Sequence, residues 1–122
     1  MNEQNLDFLD GEPEEKIEFY AAGVGFREAW QENIAALEIG EEVFFVPEPT
    51  NKFDEDAVQI VTGLGVFLGY VPAKTGGFKN KWVLNRLSEG QQLIAKVVSV
   101  NPGGKPYNAL RVRVELLANP LK

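Results

Sequence analysis

Between Ala109 and Leu117 the chain alternates strictly, with Leu110, Val112, Val114 and Leu116 set against Arg111, Arg113 and Glu115. A period of two marks a strand with one face in a core and the other in water. A strand of this kind needs neighbours that bury the same face, and the rest of the chain supplies them. Lys16 to Phe26 carries the same beat at Ile17, Phe19 and Ala21. Shorter apolar runs fill Glu42–Val46, Ala57–Val61, Val66–Val71 and Gln92–Val100, and Gly63-Leu64-Gly65 and NPGGKPYN (101–108) supply tight turns. Two stretches have helical spacing instead. Arg27–Glu38 aligns Trp30, Ile34 and Leu37 and stops at Gly40; Phe78–Leu87 turns Phe78, Trp82 and Leu87 inward and closes at Gly90. Six strands and two helices without a strand–helix–strand rhythm predict a mainly β fold, a small closed barrel.

At 122 residues the chain is expected to hold one domain with its own core. It has no cysteine and no histidine, which removes thiol nucleophiles, Ser-His-Asp triads, zinc fingers and His-ligated metals together. The adjacent acids Asp54, Glu55 and Asp56 do not converge as an all-oxygen metal site requires, so neither metal nor cofactor is expected. The first residues lack a charged-then-apolar leader, and no run is apolar enough to span a membrane; a soluble, cytoplasmic monomer is the expectation. Residues 1–15 read as a flexible acidic arm and 16–122 as the barrel domain. The net charge of −6 is unevenly spread: residues 67–122 hold nine bases against two acids. A basic C-terminal half suits an anionic partner, although solvated charged faces have the same composition.

Two phrases carry the functional signal. FVPEPTNKFDEDAV (45–58) puts Asn51, Phe53 and Asp54 in a short loop, and GYVPAK (69–74) ends a strand at Tyr70 and then offers Lys74. Rings stack on bases, polar groups meet hydroxyls and cations meet phosphates, so this set suits the end of a single nucleic acid strand. The same residues also suit a plain tight loop, with Asn51 and Asp54 bonding their own backbone and Phe53 plugging the barrel.

These phrases, with AGVGFR (22–27) ahead of them, resemble the HIRAN domain, found at the N-termini of some SWI/SNF-type helicases and as short bacterial proteins. The family phrase runs roughly (R)EP-x-N-x-(Y/F)-D-x-x-A-(I/V)-x-V and then (I/L)GY(I/V)P, and both halves occur here in order. The resemblance implies an OB-like barrel and DNA binding without catalysis. It further implies aromatic rings around the terminal bases, Phe26 and Phe53, and polar contacts to the 3′-hydroxyl, Asp54 and Asn51. Tyr70 stands on the GY step and Lys74 one place from the family's usual base. The chain departs at Pro47, where the family often has Arg, and has Phe where a Tyr would add a hydroxyl.

Gly23-Val24-Gly25 lacks the third glycine of a dinucleotide fingerprint, and Gly103-Gly104-Lys105 lacks the rest of a phosphate loop. The expected function is therefore a DNA-binding module for single strands or 3′ ends; the alternative is a protein-interaction module that keeps the fold without the DNA site. A partner could also meet the acidic arm, whose residues 1–15 carry six acids and no base. A tethered arm of that charge can compete with phosphates for cations, or it can be a solubilising tail. If it competes, deleting residues 1–15 should tighten oligonucleotide binding at low salt. The gain should fade as the Debye length shortens towards about 10 Å at 0.1 M. Unchanged affinity at every ionic strength leaves the arm a tail.

Overall fold

Six antiparallel strands share one continuous sheet whose spatial order is β1-β6-β5-β2-β3-β4. The computed structural model describes residues 16–117. The strands are β1 (Lys16–Tyr20), β2 (Glu42–Pro47), β3 (Val58–Val61), β4 (Phe67–Tyr70), β5 (Leu93–Val100) and β6 (Leu110–Leu116). Two helices, α1 (Trp30–Ala35) and α2 (Lys79–Ser88), follow β1 and β4. The acidic arm assigned to residues 1–15 lies outside the described residues.

The strictest alternation in the sequence sits in a central strand. Leu110, Val112 and Val114 of β6 are buried while Arg113 and Glu115 are exposed. In register, Phe19 and Ile17 of β1 oppose Val112 and Val114, and Val97 and Ala95 of β5 oppose the same pair from the other side. Ile34 from α1 and Val83 from α2 complete the core with Val43, Ile60 and Leu68. Strand β2 makes the sheet curl. Glu42 and Val43 pair with β5, whereas Phe44 to Pro47 pair with β3, so the strand leaves one ladder and enters the next.

The curl does not become the closed barrel expected from the sequence. The sheet is open, and its edges β1 and β4 meet among the described residues at a single bridge, Ala22–Tyr70. Two backbone hydrogen bonds make it, Ala22 N–H to the Tyr70 carbonyl at 2.8 Å and Tyr70 N–H to the Ala22 carbonyl at 2.7 Å. The first strand ends early because Gly23 adopts φ 62°, a left-handed conformation that breaks an extended run. The chain then forms a 3-10 turn at Val24–Phe26, so Phe26 sits on this turn rather than in a strand.

Helix α1 is shorter than its apolar spacing suggests. It starts at Trp30 with no side-chain cap, and a Leu37 N–H to Ile34 carbonyl bond of 3.1 Å tightens its end. Phe78, expected to face the core, instead precedes α2 with φ 57° and is 46% exposed. Trp30 and Trp82 pack against the core as their helical spacing predicts. No helix among the described residues is long and apolar enough to cross a membrane.

The edge bridge sets a clear test. Gly69 has φ 155°, and a Cβ there would lie 2.8 Å from the Ala22 carbonyl oxygen. Gly69→Ala should therefore destabilise the fold by about 1–3 kcal/mol through backbone strain and loss of the bridge. A parental melting temperature would contradict it.

Candidate nucleic-acid interface

The loop after β2 is built around the carboxylate of Glu48. Asn51 Nδ2 donates to it at 2.8 Å and the Tyr70 hydroxyl at 2.9 Å, and Gln59 Nε2 donates to its second oxygen. The three hydrogen bonds, from Asn51, then Gln59 and Tyr70, hold the Glu48 pKa below its ordinary value, with the charge of Arg27 adding a smaller pull. Burial first, and the Glu48 carboxylate second, push the Tyr70 hydroxyl above its ordinary 10.0. Tyr70 thus keeps its proton at neutral pH and stays a donor to an ionised Glu48. This charge-assisted network ties β4 to the loop.

Asn51 works in both directions. Its amide nitrogen meets Glu48 while its oxygen accepts the N–H groups of Phe53 at 2.8 Å and Asp54 at 3.0 Å. Such an Asx turn folds the loop sharply and throws the intervening side chain outward. Phe53 is 94% exposed as a result, so it does not plug the barrel.

Asp54 is held from the other side. One of its oxygens accepts the Asp56 N–H at 2.8 Å, and the other accepts Asn80 Nδ2 at 3.3 Å. Asn80, only 1% exposed, also donates to the Asp56 carbonyl at 3.0 Å. The first turn of α2 is thereby fastened to the loop. An ionised carboxylate offers about four acceptor positions, so Asp54 retains lone pairs for a hydroxyl.

The rings form a second group. Phe26, 69% exposed, meets Tyr70 edge-on with centroids 6.2 Å apart, and Phe67 meets Tyr70 edge-on at 5.3 Å. The Arg27 guanidinium lies 4.1 Å above the Phe67 ring. Gly23 makes room for this stack, since a Cβ there would come within 2.9 Å of the Phe26 ring.

Of the six residues picked out in the sequence, Phe26, Tyr70, Asn51 and Phe53 are therefore linked through contacts with Tyr70, Glu48 and the Asx turn. Asp54 belongs to the same loop but is bonded towards α2. Lys74 is exposed on the 3-10 turn Lys74–Gly76; its carbonyl accepts the Gly77 N–H at 3.3 Å, and its side chain has no hydrogen bond or ion pair among the described residues. Sequence reasoning passed over Glu48, Gln59, Phe67, Arg27 and Asn80. Glu48 lies inside the motif phrase, whereas nothing local marks Gln59 or Asn80 as partners of a loop 11 and 24 to 26 residues away.

An open groove of about 370 Å³ adjoins this region on the β1 side, lined by Tyr20, Ala22, Pro72, Lys79 and Tyr107 among others. The described residues contain no cluster of acidic side chains that could hold a metal.

The Glu48 network has a signed pH consequence. Its folded pKa is depressed, so its contribution to stability is full above the unfolded value, near 4.5, and is lost as pH falls through the lower folded value. Glu48→Gln cannot titrate. The stability gap between parent and Glu48→Gln should narrow on acidification below pH 4.5. A gap that stays constant through that range in chemical denaturation would remove Glu48 from the pH response.

The chain matches the family model of the HIRAN domain over residues 15–118. No curated protein gives a significant sequence match. Among solved structures, a protein from Lactobacillus plantarum superposes with a TM-score of 0.66 at 20% identity, covering 83% of this chain and 92% of its own. The HIRAN domain of human HLTF superposes with a TM-score of 0.60 at 14% identity, covering 84% of this chain and 75% of its own. At these identities the two structures speak for the fold alone, and the family match speaks for the lineage. With the motif phrases folded into one loop-and-edge site on a curled six-stranded sheet, the chain belongs to the HIRAN domain family.

Proposed function

We propose that this chain is a DNA-binding module that holds the end of a single strand, with Phe53 and Phe26 as stacking platforms. The observation that carries this is the exposure of both residues, 94% and 69%, beside a loop cross-linked by hydrogen bonds. HIRAN domains are in general DNA-binding modules. Bases stack on such rings for about 1–3 kcal/mol each, with little regard to sequence.

In this proposal Tyr70 backs the Phe26 ring and Asn51 shapes the loop. Asp54 accepts a hydrogen bond from the 3′-hydroxyl, and Lys74 meets a phosphate. No group in the set performs chemistry on the strand; the module binds, and residues 16–122 act as one domain.

A second reading, a protein-interaction surface, draws on a different face. Phe44, Val46, Leu64 and Val66 are exposed around β2 and the β3–β4 turn. Salt separates the two, since DNA binding weakens steeply with ionic strength through counterion release and an apolar contact does not.

Titration of fluorescent single strands with 3′-hydroxyl or 3′-phosphate ends tests the proposal. The parent should prefer the free hydroxyl, because Asp54 repels a phosphate, and Asp54→Asn should shrink the preference. Phe53→Ala and Phe26→Ala should each weaken binding roughly tenfold. Equal affinity for both ends removes the role of Asp54, and full binding by both alanine variants removes the stacking site.

A further inference from the structure

We propose that Phe78, Lys79 and Lys81 form a second contact for a nucleic acid strand, beyond the end-binding loop. The inference rests on the single-strand function above and extends its footprint along the chain of phosphates.

Phe78 is the one non-glycine residue with positive φ among the described residues, at φ 57° and ψ 41°. A bulky side chain in that region is under strain and persists only where the surroundings force it. Short-range bonds force it here: Phe78 N–H reaches the Ala73 carbonyl at 2.8 Å, and Gly76 N–H reaches the same carbonyl at 3.0 Å. Glycine would suit the position, and two glycines, Gly76 and Gly77, already precede it. Yet the position carries a phenylalanine, and the residue is 46% exposed. Core packing does not account for a strained ring that remains half in water.

Its neighbours supply the second half of the chemistry. Lys81 places its ammonium 5.1 Å from the Phe78 ring centroid and, among the described residues, makes only a long ion pair, 3.8 Å, with Asp56. Lys79 lines the open groove beside Tyr20 and Tyr107. From Phe67 to Ser88 the sequence has Lys74, Lys79, Lys81 and Arg86 and no acid. An exposed ring beside two lysines that share, among the described residues, a single long ion pair fits a base and its flanking phosphates, the pattern of single-strand grooves. The link from Asn80 to Asp54 and Asp56 fixes this surface against the loop that carries Phe53. A strand held at its end can thus run on across α2.

The test exploits the backbone. Phe78→Gly and Phe78→Asn both remove the ring, and both residues accept a left-handed conformation. The full chain is titrated with a labelled trinucleotide and with a strand of about twelve nucleotides, while melting temperature is followed. The inference expects both variants to melt at or above the parental temperature. Binding of the long strand should weaken roughly tenfold while the trinucleotide stays unaffected. Lys79→Gln with Lys81→Gln should lower the salt slope for the long strand by about 0.7 per lost phosphate contact and leave the short one unchanged.

Parental affinity of both Phe78 variants for the long strand overturns the second contact and leaves the end site standing. Equal losses on both strands also overturn it, since the ring would then serve the end site. A parent that binds neither strand overturns the end site and this contact together.

Discussion

Two backbone hydrogen bonds between Ala22 and Tyr70 organise the candidate site of this molecule. They join the edges of a sheet that otherwise stays open, and they do so where β1 turns away and β4 ends. Two glycines permit the approach, Gly69 against the Ala22 carbonyl and Gly23 against the Phe26 and Tyr70 rings. Once the edges meet, Phe26 lies against Tyr70 and the Tyr70 hydroxyl reaches Glu48. An edge contact of the backbone therefore becomes the base of a side-chain site.

Rigidity in the loop comes from charge-assisted hydrogen bonds rather than burial. Glu48 gathers three donors and Asp54 is tied to α2, so the two ends of the motif are each held by a carboxylate. Between them Phe53 projects into water with its backbone already set by Asn51. The backbone beneath the ring then loses little conformational freedom when something stacks on it, which is how preorganisation raises affinity. In the proposed site the loop supplies the contact and the sheet supplies its position, the usual division of labour between connections and scaffold.

Net charge averages over regions. The chain is acidic as a whole, at −6, yet the stretch from Phe67 to Ser88, which includes Tyr70, Lys74 and α2, contains no acid. Electrostatic attraction of a phosphate depends on the local field more than on the total, since salt screens charges beyond about one Debye length, roughly 8–10 Å. The acids near this surface are largely engaged: Glu48 by three donors, Asp54 by Asn80, and Asp56 loosely by Lys81.

The sequence by itself determined the strands, because a period of two records which side chains meet the core and survives without knowledge of partners. It also determined that Asn51, Phe53, Asp54 and Tyr70 belong to the motif phrases, and that Trp30 and Trp82 pack inward. Tertiary structure alone decided whether the sheet closes, since a one-residue bridge leaves no periodicity, and this sheet remains open where a barrel was expected. It alone decided that Phe53 stands in water, where the Asn51 turn sets the loop backbone, and that Phe78 does not face the core, where a left-handed backbone outweighs apolar spacing. The partners of Glu48 and Asp54 were equally out of reach: Gln59, Tyr70 and Asn80 come from other elements, and only folding brings a distant amide or hydroxyl to a carboxylate.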